Sequence, residues 1–165
     1  MELNITGKAL LLGNNIDTDQ IYPGRFLDLV DPAEIAAHCL DGIDSATPRT
    51  LAGSVVVSGT NFGCGSSREH AVIALQSAGV QALLADSFAR IFYRNAINLG
   101  LPLLVCPGIS KMVKEGHTLE VDVLCAAVTI METGETIQCE KIGEHAIGIL
   151  RAGGIKPLFC EKYRQ

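Results

Sequence analysis

The chain has no CxxC pair, although it carries six cysteines: Cys39, Cys64, Cys106, Cys125, Cys139 and Cys160. Without that spacing, neither a zinc knuckle nor a self-contained iron–sulfur site is written into the sequence. It also lacks a long apolar run. The stretch in MELNITGKALLLGNNIDTDQ breaks at Gly13 and Asn14, too short for a bilayer span, and it has neither the basic start nor the cleavage pattern of a secretory leader. These absences predict a cytoplasmic chain with reduced thiols, no membrane partner and no metal held by its own side chains. Basic residues are sparse and scattered. Thirteen Lys and Arg against 18 Asp and Glu give a net charge of −5, which excludes a wide phosphate-backbone footprint, so nucleic acid is not an expected partner. Small anions remain compatible. Repeats, linkers and low-complexity segments are also missing.

What is present is apolar mass punctuated by turns. With 165 residues, 48% hydrophobic and 19% charged residues, and 17 glycines, the composition is that of a packed chain, read as one domain over residues 1–165. GKALLL (7–12) predicts a strand and GNNIDTDQ (13–20) an irregular polar turn. Asp31 before Pro32, with Glu34 following, predicts a short helix through PAEIAAHCL. The β-branched run SVVVSG (54–59) predicts a buried strand. SREHAVIALQSAG then reads as a helix, VQALLA as a strand, SFARIFYRNAINLG as a helix stopped at Gly100, and LPLLVC as a strand. This βαβαβ order implies right-handed parallel crossovers. Beyond Gly108 the segments TLEVDVL, AAVTIME and ETIQCE alternate apolar and polar residues, which predicts a small antiparallel sheet. The tail gives a helix to about Ala152, a Gly-Gly break and a short final helix.

The segment GTNFGCGSSREHAVIAL (59–75) places three glycines and two serines between a buried strand and a helix, an arrangement that can converge backbone N–H groups on an anion. Ser66 and Ser67 add hydroxyls, and Arg68 adds a planar fork suited to a carboxylate. The competing interpretation makes Ser66 or Ser67 an ordinary helix N-cap. Phosphate-loop and dinucleotide readings fail, because no GK[ST] follows and Arg68 stands where a third glycine belongs. A hydrolase elbow fails at Glu69.

GTNFGCGSSREHA, followed by ADSFARIFYRNAINLGLPLL (85–104) and preceded by GNNIDTDQIYPGRFL (13–27), resembles the aconitase-like family of isopropylmalate dehydratase small subunits. The similarity covers about residues 7–106. It implies an α/β fold, a swivelling three-layer β/β/α domain like the aconitase C-terminal domain, with a parallel βαβαβ core and a small antiparallel sheet. It further implies that this domain closes over a [4Fe–4S] cluster held by a separate large subunit, in a heterodimer or heterotetramer, while the isolated chain is inactive and can form homo-oligomers.

On that resemblance Ser66 is the base that removes the proton beside a carboxylate, and Ser67 and Arg68 hold substrate carboxylate. Asp19 matches the acid of the family's TD-containing loop and would orient the serine or its partners; otherwise it forms an Asx-turn. Asn61 and Phe62 shape the loop, and Asp17 and Thr18 read as turn formers. Selectivity is associated with YPGRFLDLVDP (22–32), where Asp28 and Leu29 stand opposite the distinguishing substituent. Asp28 would repel a third carboxylate. The implied reaction is isomerisation of 2-isopropylmalate to 3-isopropylmalate by dehydration and rehydration, in leucine biosynthesis. 2,3-Dimethylmalate, homoaconitate and methylmalate are alternative substrates, and a non-catalytic anion- or RNA-binding module is the alternative of another class. Arg90 and Arg94, four apart on one helix face, are read as braces forming salt bridges rather than as anion ligands. Arg25 reads as a solvated turn residue, His70 as a capping histidine or one supporting the motif from behind, and His38, His117 and His145 carry no functional signal.

Overall fold

The computed structural model describes residues 3–43 and 51–164. Strand β1 (Asn4–Leu11) leads to a four-residue helix α1 (Thr18–Ile21), a 3-10 turn (Gly24–Phe26) and helix α2 (Pro32–Ala37). Then β2 (Ser54–Ser58), α3 (His70–Ser77), β3 (Ala82–Ala85), α4 (Arg90–Leu99) and β4 (Leu103–Val105) alternate as expected. A short helix α5 (Ile109–Met112) precedes β5 (Thr118–Asp122), β6 (Ala127–Ile130) and β7 (Thr136–Gln138), and helices α6 (Glu144–Ala152) and α7 (Ile155–Tyr163) close the chain.

The strands form one hydrogen-bonded sheet in the order β4-β3-β2-β1-β5-β6-β7, parallel from β4 to β1 and antiparallel from β1 to β7. The antiparallel strands expected as a small sheet therefore form a wing continuous with the parallel core. Strand β1 makes the join by dividing its length: Lys8–Leu11 pair with Ser54–Val57 of β2, while Asn4–Lys8 pair with Asp122–Thr118 of β5. The two registers overlap at Lys8, and Ala9 adds backbone bonds to His117 and Gly116 just before β5, so the two wings leave β1 from largely opposite ends.

The sheet curls until its margins meet. Cys106, just past β4, is disulfide-bonded to Cys139, just past β7, and the Glu140 N–H donates to the Val105 carbonyl at 2.9 Å. This corrects the expectation of uniformly reduced thiols: the bonded pair is 33 residues apart in sequence, and no spacing rule announces it. Curling also explains the burial pattern. Every residue of β2 and β3 is buried, as strands covered on both faces must be, whereas β5 and β6 bury alternate positions. Val55, Val56 and Val57 are at most 1% exposed, each contributing roughly 1.5–3 kcal/mol of burial. Helix α3 packs against α1, α2 and α4, and α4 packs against α6 and α7. Gly100 and Gly153 end α4 and α6 in the left-handed conformation, the stops the glycines predicted.

Candidate functional site

Three loops leave the carboxyl ends of β1, β2 and β3 and are laced together by hydrogen bonds. The β1 and β2 loops join through the Asn15 N–H to Thr60 O (2.8 Å), Gly63 N–H to Ile16 O (2.8 Å) and Thr18 N–H to Cys64 O (2.8 Å). Asn14 adds its side-chain oxygen, accepting from the Thr60 N–H at 2.9 Å. The β2 and β3 loops join through the Phe62 N–H to Ser87 O (3.1 Å), Ala89 N–H to Phe62 O (2.9 Å) and Asn61 N–H to Ser87 Oγ (2.8 Å). Phe62 is fully buried, edge-on to the rings of Phe88 and Phe92 at 5.9 and 5.2 Å. It anchors the loop that presents the serines.

The glycines of GCGSSR have steric reasons. Gly63 and Gly65 have φ of +85° and +98°, where L side chains are strained, and a Cβ at Gly63 would overlap the Phe92 ring. At Gly65 it would overlap the Asp17 carboxylate. That carboxylate caps α1: its Oδ1 accepts from the Asp19 N–H at 2.7 Å, and Gln20 completes a capping box by accepting from the Asp17 N–H at 2.8 Å. The polar turn expected over residues 13–20 thus ends in a capped helical turn.

Ser66, Ser67 and Arg68 are exposed and precede α3 altogether. The helix begins at His70, with Glu69 as its N-cap and no side-chain capping bond, so neither serine is an N-cap. Ser66 Oγ lies 3.2 Å from Thr18 Oγ1, a contact in which either hydroxyl can donate. Thr18 itself is only 4% exposed, which makes it a fixed partner for an exposed hydroxyl. Asn95 of α4 donates from Nδ2 to the Ser67 carbonyl at 3.1 Å and ties the serine segment to the neighbouring helix.

Asp19 does not contact Ser66. Its Oδ1 accepts from the Gly24 N–H at 2.8 Å, so it fastens the segment after α1 to the site. Arg68 reaches the same glycine: its Nη1 is 3.0 Å from where a Gly24 Cβ would stand. Asp19, Arg68 and Ser66 are therefore gathered around α1 and Gly24. Asp28 is exposed, Leu29 is half-buried with its N–H donating to Phe26 O (3.1 Å), and no described contact joins either to Ser66–Arg68. The segment that bears them is held from the other side. His38 stacks on Phe26 with centroids 3.8 Å apart, Asp41 Oδ2 meets His38 Nδ1 at 2.7 Å, and the Arg25 guanidinium lies 4.6 Å above the Phe26 ring.

Sequence reasoning missed Thr18, Asn95 and His38. Thr18 read as a turn former because its partner lies 48 residues away; only its place in the TD loop pointed toward the site. Arg90 and Arg94 form no salt bridge among the described residues, contrary to the bracing role expected of them. The described residues hold no group of three or more His, Cys, Asp or Glu able to bind a metal ion. Cys106 and Cys139 are bonded to each other, and burial, aided by Asp41, pushes the Cys39 thiol up to about 12. The thiols of this chain do not fit an iron–sulfur cluster. Among the described residues no helix is long and apolar enough to cross a membrane.

The arrangement is one that can hold a small carboxylate. Arg68 and two hydroxyls face solvent, one hydroxyl is positioned by a buried threonine, and the loop backbone is locked by its neighbours. Residues 45–107 match the family model described as the aconitase C-terminal domain. The chain is 49% identical to the 3-isopropylmalate dehydratase small subunit 1 of Methanopyrus kandleri, over 93% of this chain and 91% of that protein. It is 46% identical to the isopropylmalate/citramalate isomerase small subunit of Methanocaldococcus jannaschii, over 96% and 95%. The crystal structure of a 3-isopropylmalate dehydratase from the latter organism superposes with a TM-score of 0.88 at 42% identity, covering 97% of this chain and 95% of that one.

Proposed function

Since the chain belongs to the family of 3-isopropylmalate dehydratase small subunits, we propose that it is the small subunit of a hydro-lyase that converts 2-isopropylmalate to 3-isopropylmalate by dehydration and rehydration, in leucine biosynthesis. The observation that carries the mechanism is the exposed Ser66 hydroxyl, 3.2 Å from the buried Thr18 hydroxyl, with the Arg68 guanidinium lying against Gly24 just past α1. A serine is a poor base in water. Pressed against a partner and dried, its alkoxide gains from the buried Thr18 hydroxyl, which is already in place, and from the charge of Arg68. Ser66, having given its own proton to water before the site closes, then takes the proton from the carbon beside a carboxylate and returns to the neutral hydroxyl, while Arg68 and Ser67 hold that carboxylate. Asp19 acts by fixing Gly24, against which the Arg68 guanidinium lies, and so holds the following segment.

The partner in this reading is a large subunit that bears the [4Fe–4S] cluster, because this chain's cysteines cannot hold one and none of its site residues is suited to activate the departing hydroxyl. Asp28 and Leu29 set the substrate by facing the alkyl substituent, Leu29 favouring an apolar group and Asp28 opposing a third carboxylate. The name of the Methanocaldococcus relative supports citramalate as a second substrate of the same site.

The test is reconstitution with the large subunit. Ser66→Ala is expected to assemble normally and lose nearly all turnover on 2-isopropylmalate. Full activity in that variant removes the base, and absence of turnover by the wild-type pair on 2-isopropylmalate, with turnover on another alkylmalate, changes the substrate.

A further inference from the structure

Helix α4 has two unlike faces. Phe92, Ala96 and Ile97 are buried, whereas Arg90, Ile91 and Arg94 are exposed, Ile91 to 53%. Beside the exposed face lies a cleft of about 360 Å³ walled by Phe88, Tyr93 and Val105 and rimmed by Arg90, Arg94, Lys141 and Glu140. Among the described residues none of the three cations joins an ion pair. In a chain of net charge −5, this is a local reversal of sign.

Unpaired surface cations are common and prove nothing by themselves; their place is what matters. Asn95, adjacent to Arg94, holds the Ser67 carbonyl, and Phe88 bridges to Phe62 in the serine loop. The cation-rimmed cleft therefore lies at the same end of the sheet as the serine loop and is joined to it through Phe88 and the first turns of α4. A body large enough to seal Ser66 from water must descend beside the first turns of α4. An exposed isoleucine among arginines, with aromatic walls, is the composition of an interface centre, and arginine forks suit carboxylates.

We infer that Arg90, Ile91, Arg94 and Lys141 form the surface on which an acidic face of the large subunit docks. This rests on the reading of the chain as a small subunit. Opposite charge on the two faces speeds encounter and fixes orientation, so that Ser66 meets the partner in one pose.

The experiment follows association of the full-length chain with its large subunit at 50 and 300 mM salt, by surface plasmon resonance, for wild type, Arg90→Glu/Arg94→Glu, Lys141→Glu and the milder Arg90→Gln/Arg94→Gln. Thermal melts confirm that each variant is folded. The double reversal is expected to slow association at least tenfold at low salt and to flatten its salt dependence. The glutamine pair should lie between, and turnover at saturating large subunit should stay at the wild-type value. Wild-type association by the folded glutamine pair at both salts overturns the inference, as does unchanged association with a raised KM, which would make the cleft a small-anion site. Turnover by Ser66→Ala alongside slow assembly of the arginine variants would sink the catalytic assignment alone, and failure of the wild-type chain to bind any large subunit would sink both.

Discussion

Thr18→Val removes a hydroxyl without changing the shape of a buried side chain. Its Oγ1 sits 3.2 Å from Ser66 Oγ, and Thr18 is 4% exposed while Ser66 faces solvent. In the isolated subunit the loss is small, because the orphaned Ser66 hydroxyl turns to water and no buried group is left unsatisfied. About 0.5–1.5 kcal/mol of stability is the expected cost. In the closed complex the same contact weighs more. A neutral hydrogen bond that merely aims Ser66 supplies about 0.5–1.5 kcal/mol, roughly 2- to 12-fold in rate, whereas one donated to a developing alkoxide supplies about 1.5–3 kcal/mol, roughly 12- to 150-fold. Turnover at saturating large subunit is therefore expected to fall by roughly 12-fold or more, with KM little changed and Thr18→Ser restoring most of the rate. The assay is steady-state turnover of the reconstituted pair on 2-isopropylmalate, with a thermal melt of each variant. Wild-type turnover in Thr18→Val refutes the argument that the buried hydroxyl stabilises the serine's charge. A loss below about tenfold reduces Thr18 to an aiming role.

Gly65→Ala places a Cβ on the Asp17 carboxylate at a φ of +98°; about 1–2 kcal/mol of backbone strain and about 1 kcal/mol of lost cap should lower the calorimetric Tm by roughly 4–12 °C, and an unchanged Tm would show that the loop relaxes freely. Asp28→Arg should shift the kcat/KM ratio toward a tricarboxylate substrate by roughly tenfold, about 1.4 kcal/mol; an unshifted ratio removes Asp28 from the selectivity assignment. Ellman titration in denaturant should find four thiols before reduction and six after, since Cys39, Cys64, Cys125 and Cys160 are free and Cys106 is bonded to Cys139. In the native protein at pH 8, iodoacetamide should spare Cys39, whose thiol is buried and pushed up to about 12, while modifying the exposed Cys160 and, more slowly because Asp122 raises its thiol, the exposed Cys125; rapid native alkylation of Cys39 would contradict its burial.

The alternating core was legible because its signals are local. The Val55–Val57 run, the stops at Gly100 and Gly153, and Asp31-Pro32 before α2 each act within a few residues of where they stand. The candidate loop was legible as a turn, since glycines flanking serines after a buried strand cannot continue the strand. Its details were not, because they are set by contacts at long range. The α3 helix starts at His70 instead of near Ser67 because the chain after β2 is still occupied in bonding to the β1 and β3 loops. The join of the two wings at Lys8 leaves no trace in the alternation of either wing. His38 gave no signal alone; it matters only because the chain returns to lay it on Phe26.

The meeting of the margins at Cys106 and Cys139 has a consequence for how the protein behaves in a crowded solution. An open sheet ends in unsatisfied peptide groups that can template a stranger's strand, the first step toward fibrils and inclusion bodies. Here both terminal strands are only three residues long, and one corner of each is already spoken for by the other, through the Glu140–Val105 peptide bond pairing and the sulfur bridge. Little ladder is left to recruit a foreign chain, so the subunit can wait for its partner without polymerising edge to edge.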